Sequence, residues 1–147
     1  MITFEQLNKQ NHEITELTNV LGYLLADRSM CDTGICCDLF YRYGNTIQDH
    51  LDKVDHTYSA LLSSPDNRIN NTARQFMSGS QEIRKIFSQY TKKWCEKRQQ
   101  ALHIADHGDF YAETRTIFDL ILNRIQDETE RLYPLIREIK GDAQRAA

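Results

Sequence analysis

Helix breakers are scarce in this chain: its 147 residues include six glycines and two prolines. That is too few to punctuate the many short strands of an all-β fold. Long apolar runs are missing too, so no segment is expected to span a bilayer. The opening MITFEQLNKQNHE is polar and acidic, without a basic stretch leading into an apolar one, so no secretory signal is expected. The four cysteines, Cys31, Cys36, Cys37 and Cys95, then read as thiols of a cytoplasmic protein rather than as a disulfide framework. Their spacing contains no C-x-x-C pair, which excludes a zinc ribbon. Cys31 is expected in a loop, as the candidate reactive thiol. An excess of positive charge is also lacking. Eighteen Lys and Arg against 21 Asp and Glu leave a net charge of −3, which gives nucleic acid no electrostatic hold. Neither a Gly-rich phosphate loop nor a nucleophile elbow nor an H-E-x-x-H stretch occurs, so the chain is not read as an enzyme.

Helical periodicity is what the sequence has in abundance. The first pattern opens on the capping-box spacing Thr3-Phe4-Glu5-Gln6 and keeps Phe4, Leu7, Ile14, Leu17, Leu21 and Leu24 on one stripe to about Asp27. Residues Arg28 to Gly34 break it. A second stripe holds Cys36, Phe40, Tyr43, Ile47, Leu51, Val54, Tyr58 and Leu61, and stops at Ser63-Ser64-Pro65-Asp66-Asn67. The third pattern is expected from Ile69 to Ala105, with Ala73, Phe76, Ile83, Phe87, Tyr90, Trp94 and Ala101 inward. Gly108 is then expected to be left-handed and Asp109 to be an N-cap. The fourth carries Phe118, Ile121, Leu122, Ile125, Leu132 and Ile136 to near Lys140, and Pro134 should kink or weaken its last turns. Long helices with short connections predict an all-α fold, an antiparallel up-down-up-down four-helix bundle over residues 1–140, with a flexible tail over 141–147.

Two stretches look like variants of one frame, His, an apolar residue, two free positions and Glu, of which the first keeps the His and the second the Glu. One surrounds Asp49-His50-Leu51, with Val54, Asp55 and Tyr58 after it; the other runs from Ile121 through Arg124 and Glu128 to Leu132-Tyr133-Pro134-Leu135. His and Glu four residues apart lie one helical turn apart on one face, where both can reach one ion. With the early Asn11-His12-Glu13, this organisation resembles the hemerythrin-like (HHE cation-binding) domains over nearly the whole chain. The resemblance implies a four-helix bundle that binds non-haem iron through histidines and carboxylates, in sensing or handling of oxygen, nitric oxide or iron. It makes His12, His50, Asp55 and Glu128 the candidate metal ligands.

Departures from the family frame shape the functional expectation. Val54 stands where a carboxylate would follow His50, Arg124 stands where a histidine would precede Glu128, and Gly79, Ser80 and Gln81 stand where the third helix would supply histidine. A simple wheel turns His12 away from the Leu7, Ile14, Leu21 stripe. Glu128 reads equally as an i,i+4 salt-bridge partner of Arg124, since a buried carboxylate without a metal needs a cation. The expectation is therefore a sensory, regulatory or binding bundle with a reduced or absent iron site. Two alternatives stand beside it. One is a working iron, oxygen or nitric oxide handling protein. The other rests on Ala105-Asp106-His107-Gly108-Asp109-Phe110, which resembles the regulator-of-sigma-D anti-sigma family and implies a protein-interaction bundle. A metal ion, a protein partner and a second copy of the chain are the expected partner classes, the last from Tyr111 and the Met77/Cys95 side read as a second apolar face. His103 and His107, four apart beside Asp106 and Asp109, have zinc-binding spacing, but read more simply as two exposed histidines at a helix end.

Overall fold

The computed structural model describes residues 3–96 and 98–146, with side chains described through Lys140, and it is all-α. The tail expected over 141–147 lies outside the residues whose side chains are described. Helix α1 (Phe4–Leu25) starts on the expected capping box, with Gln6 N–H donating to Thr3 Oγ1 at 3.1 Å and Thr3 N–H to Gln6 Oε1 at 2.8 Å. Asp27 caps a one-turn helix α2 (Arg28–Cys31) inside the expected break. Thr33 caps α3 (Gly34–Asp55). A short α4 (Tyr58–Leu62) follows, set off where the Thr57 N–H and hydroxyl both turn back to the Val54 carbonyl. Asp66 caps the longest helix, α5 (Asn67–Trp94).

From here the chain departs from its periodicity. The third helix stops at Trp94, not Ala105, and a small antiparallel hairpin of β1 (Cys95–Glu96) and β2 (Ala101–Leu102) follows. Tyr41 of α3 holds this hairpin, its hydroxyl lying 3.1 Å from the Glu96 carbonyl and 3.2 Å from that of Ala101. Gln100, with φ 49°, makes the left-handed turn residue; Gly108 has no positive φ and sits within α6 (His107–Asp127). Asp106, not Asp109, is the N-cap of α6, accepting from the Asp109 N–H at 3.0 Å. Instead of a simple kink at Pro134, α6 runs into one wide π-turn (Glu128–Leu132) and then α7 (Tyr133–Ala146). In that turn the Tyr133 N–H reaches back five residues to the Glu128 carbonyl. In an α register the Pro134 ring would press on the carbonyl four residues before it; the wider turn relieves this.

Buried positions follow a regular four-three spacing. They are Leu7, Asn11, Ile14, Thr18, Leu21 and Leu25 in α1; Cys36, Phe40, Tyr43, Ile47, His50 and Val54 in α3; Ile69, Ala73, Phe76, Ser80, Ile83, Phe87, Tyr90 and Trp94 in α5. In α6 they are Phe110, Thr114, Ile117, Ile121, Arg124 and then Glu128. This four-three spacing keeps one face of each helix turned inward. The apolar members fall into two clusters. The larger gathers Tyr43, Phe87, Tyr90, Trp94, Phe110 and Phe118; the smaller gathers Leu7, Val54, Tyr58, Phe76, Leu132 and Tyr133. Between them, on every long helix, comes a polar position.

Candidate functional site

That polar layer is the site. Asn11, His50, Ser80, Arg124 and Glu128 are all buried, with Glu128 at 0% exposure, His50 at 3% and Arg124 at 9%. Each replaces an apolar residue on its helix seam, so the layer is built by sequence spacing and not by loops. An ionised carboxylate this deep must be paired. Glu128 is paired twice: Oε1 lies 2.7 Å from His50 Nε2, and Oε2 accepts from Arg124 Nε at 3.0 Å. Arg124 continues through Nη2 to the Tyr58 hydroxyl at 2.7 Å and lies 4.7 Å over the Phe76 ring. Burial pushes the Tyr58 phenol up to about 12, against the lowering influence of Arg124, so it serves as a neutral acceptor.

The other edge reaches the surface through α1. Gln10 Nε2 donates to Asp49 Oδ2 at 2.8 Å, which turns its amide oxygen toward His50 Nδ1 at 3.0 Å. Both His50 nitrogens therefore face side-chain oxygens, Gln10 Oε1 and Glu128 Oε1. Asn11 accepts from the Tyr133 hydroxyl at 3.1 Å and faces Thr129 at 3.5 Å. The π-turn sits under this layer and carries Glu128 itself.

Gly79 now has a physical reason. A Cβ at that position would stand 2.8 Å from Arg124 Nη1. The glycine costs α5 about 1 kcal/mol of helix propensity and makes room for the guanidinium. Arg124 thus lies against the stretch where the hemerythrin frame would place a third-helix histidine.

Of the four candidate metal ligands, the structure brings two together. His50 and Glu128 meet in the layer. His12 is on the surface, paired at 3.1 Å with Glu16 across one turn, because Asn11 and not His12 occupies the inward seam position. Asp55 points to α5, bonding Ser80 Oγ at 3.0 Å and Arg84 Nη2 at 2.7 Å. Among the described residues no group of three or more His, Cys, Asp and Glu could hold a metal ion. A hydrogen-bonded imidazole–carboxylate pair with a guanidinium on the same carboxylate does not fit a di-iron centre.

The remaining candidates are also relocated. His103 is exposed beyond the hairpin, while His107 opens α6 with Nε2 2.8 Å from the Leu25 carbonyl, so the two do not form a pair on one helix face. Cys31 is buried in α2, its Sγ facing the Leu25 and Asp27 carbonyls, and burial raises its pKa. Tyr111, Met77 and Cys95 are partly buried against the protein's own core, with the Tyr111 hydroxyl donating to the Gly22 carbonyl at 3.0 Å. Sequence reasoning missed Gln10, Asn11, Tyr58 and Tyr133. The four-three spacing running through Leu7, Asn11 and Ile14 could have found Asn11.

Compared with known proteins, the chain matches no family model, no curated protein and no solved structure. No helix among the described residues is long and apolar enough to cross a membrane.

Proposed function

We propose that the chain is an antiparallel up-down-up-down four-helix bundle of the hemerythrin-like kind, acting as a regulatory or binding domain rather than an enzyme, with a polar layer that works without iron. Support for the bundle comes from the order in which each helix meets the two apolar clusters. Helix α1 passes from the small cluster (Leu7) to the large (Ile14), α3 from large (Ile47) to small (Val54), α5 from small (Phe76) to large (Ile83), and α6 with the π-turn that continues it from large (Ile125) to small (Leu132). The direction alternates along the chain.

The observation that carries the metal-free reading is the Arg124 guanidinium on Glu128 at 3.0 Å, in the layer where a hemerythrin relative would hold its metal. A permanent cation here neutralises the carboxylate that iron would need and repels a second cation. Purified from iron-supplemented cells, the protein is expected to carry less than one iron per chain and to lack an oxo-bridged di-iron absorption band. Two irons per chain with such a band would overturn this reading and favour a working iron, oxygen or nitric oxide handling protein.

A further inference from the structure

A trench of about 1210 Å³ runs between α1 and α6, well away from the ion-paired layer. Its floor is Gly22, whose carbonyl accepts from the Tyr111 hydroxyl. Arg115 extends over the same residue, its Nη1 3.7 Å from where a Gly22 Cβ would stand. That separation is ordinary van der Waals contact, so packing does not demand glycine at this point. Gly22 lies in the last turn of α1, and the usual gain from glycine is close approach of another group to the backbone. Arg115 forms no ion pair or hydrogen bond among the described residues, although Asp119 lies one turn further on. The other lining carboxylate, Asp27, is engaged by the Ser29 N–H at 2.9 Å and hydroxyl at 2.7 Å.

Aromatic groups flank this cation. His107 and Tyr111 stack with rings 17° apart and centroids at 6.1 Å, held by the Leu25 and Gly22 carbonyls respectively. Tyr23, also lining the trench, is 84% exposed. An uncommitted guanidinium lying over a buried glycine, with aromatic rings beside it, matches a flat ring bearing a negative group: the ring packs on the aromatic walls and the anion takes the guanidinium's paired donors. We propose that the α1–α6 trench binds a small planar aromatic anion, a carboxylate or phosphate, with Arg115 as its counter-ion and the His107 and Tyr111 rings as its wall.

The test is titration of the ¹⁵N-labelled protein with benzoate, phenyl phosphate, inorganic phosphate and neutral benzamide, following the Gly22 amide. Benzoate or phenyl phosphate should shift it saturably, on the order of millimolar for probes this small, and whichever binds tighter identifies the anionic group. Arg115→Gln, at an exposed position, should weaken binding about tenfold or more. Benzamide binding as well as benzoate, inorganic phosphate alone giving the same shift, an unaltered affinity in Arg115→Gln, or no saturable shift by any probe would each overturn the assignment.

Discussion

At the scale of single residues, Glu128 is the group with the most at stake. Its two oxygens are divided between His50 and Arg124 with no exposure to water. Desolvating such a group is expensive, and breaking a buried pair costs more than never having built one. Glu128→Ala should therefore lower stability by about 3–5 kcal/mol, because it leaves the buried Arg124 guanidinium without its carboxylate and His50 Nε2 without its partner. The triple substitution His50→Leu, Arg124→Met, Glu128→Leu should retain most of the stability or exceed it. Urea denaturation of both variants checks this; a triple variant as weak as the single one would mean that the layer is needed for folding itself. Part of this layer was legible in advance. His50 and Glu128 fall on inward seam positions, and the Arg124 to Glu128 spacing already reads as a salt bridge. His12 misled by one residue: it matches a family position, yet one step along a helix is a 100° turn, and Asn11 holds the inward place. Gln10 and Tyr133 could not have been found, because their roles depend on contacts to Asp49, His50 and Asn11 across other helices.

At the scale of elements, helix existence was legible and helix ends were less so. The four-three seam is written in α1, α3, α5 and α6, but the notched turn at Thr57 and the hairpin after Trp94 are not. The hairpin strands are two residues each, too short to show alternation, and they exist because Tyr41 and the Trp94–His103 backbone bond at 2.7 Å hold them. The π-turn does leave a trace. After Arg124 and Glu128 the seam should advance by three to residue 131, and instead the buried residue is Leu132, four on. One extra residue in a helix is the ordinary origin of a wide turn. Removing Thr129 together with Pro134→Ala should thus return the helix to regular spacing, with the helical circular dichroism and cooperative unfolding preserved. Removing Thr116, an exposed residue in the regular part of α6, should swing every later seam residue by about 100° out of the core and abolish cooperative unfolding. Equal damage from both deletions would show that the wide turn is not a stored insertion.

At the scale of the whole molecule, both apolar clusters contain tyrosine rings whose polar ends are drawn into the fold. Burial raises the phenol pKa of Tyr41 and Tyr58 to about 12 and drives Tyr43, Tyr90 and Tyr133 higher still; it lifts the Cys36 thiol to about 11. In the unfolded chain these groups ionise near their ordinary values of 10.0 and 9.0. Between the two sets of values the unfolded state has lost protons that the folded state keeps, so stability falls as pH rises. Below about pH 9 the contribution is intact; each buried tyrosine should remove about 1 kcal/mol by about pH 11. Urea midpoints should consequently decline from about pH 9 upward. For Tyr43, Tyr58, Tyr90 and Tyr133 the tyrosinate absorbance should rise together with the loss of helical circular dichroism, because these buried phenols reach hydroxide only when the core opens. Should the full tyrosinate signal develop near pH 10.0 while the helices persist, the rings could not be closing the core in the way their burial and mutual packing imply.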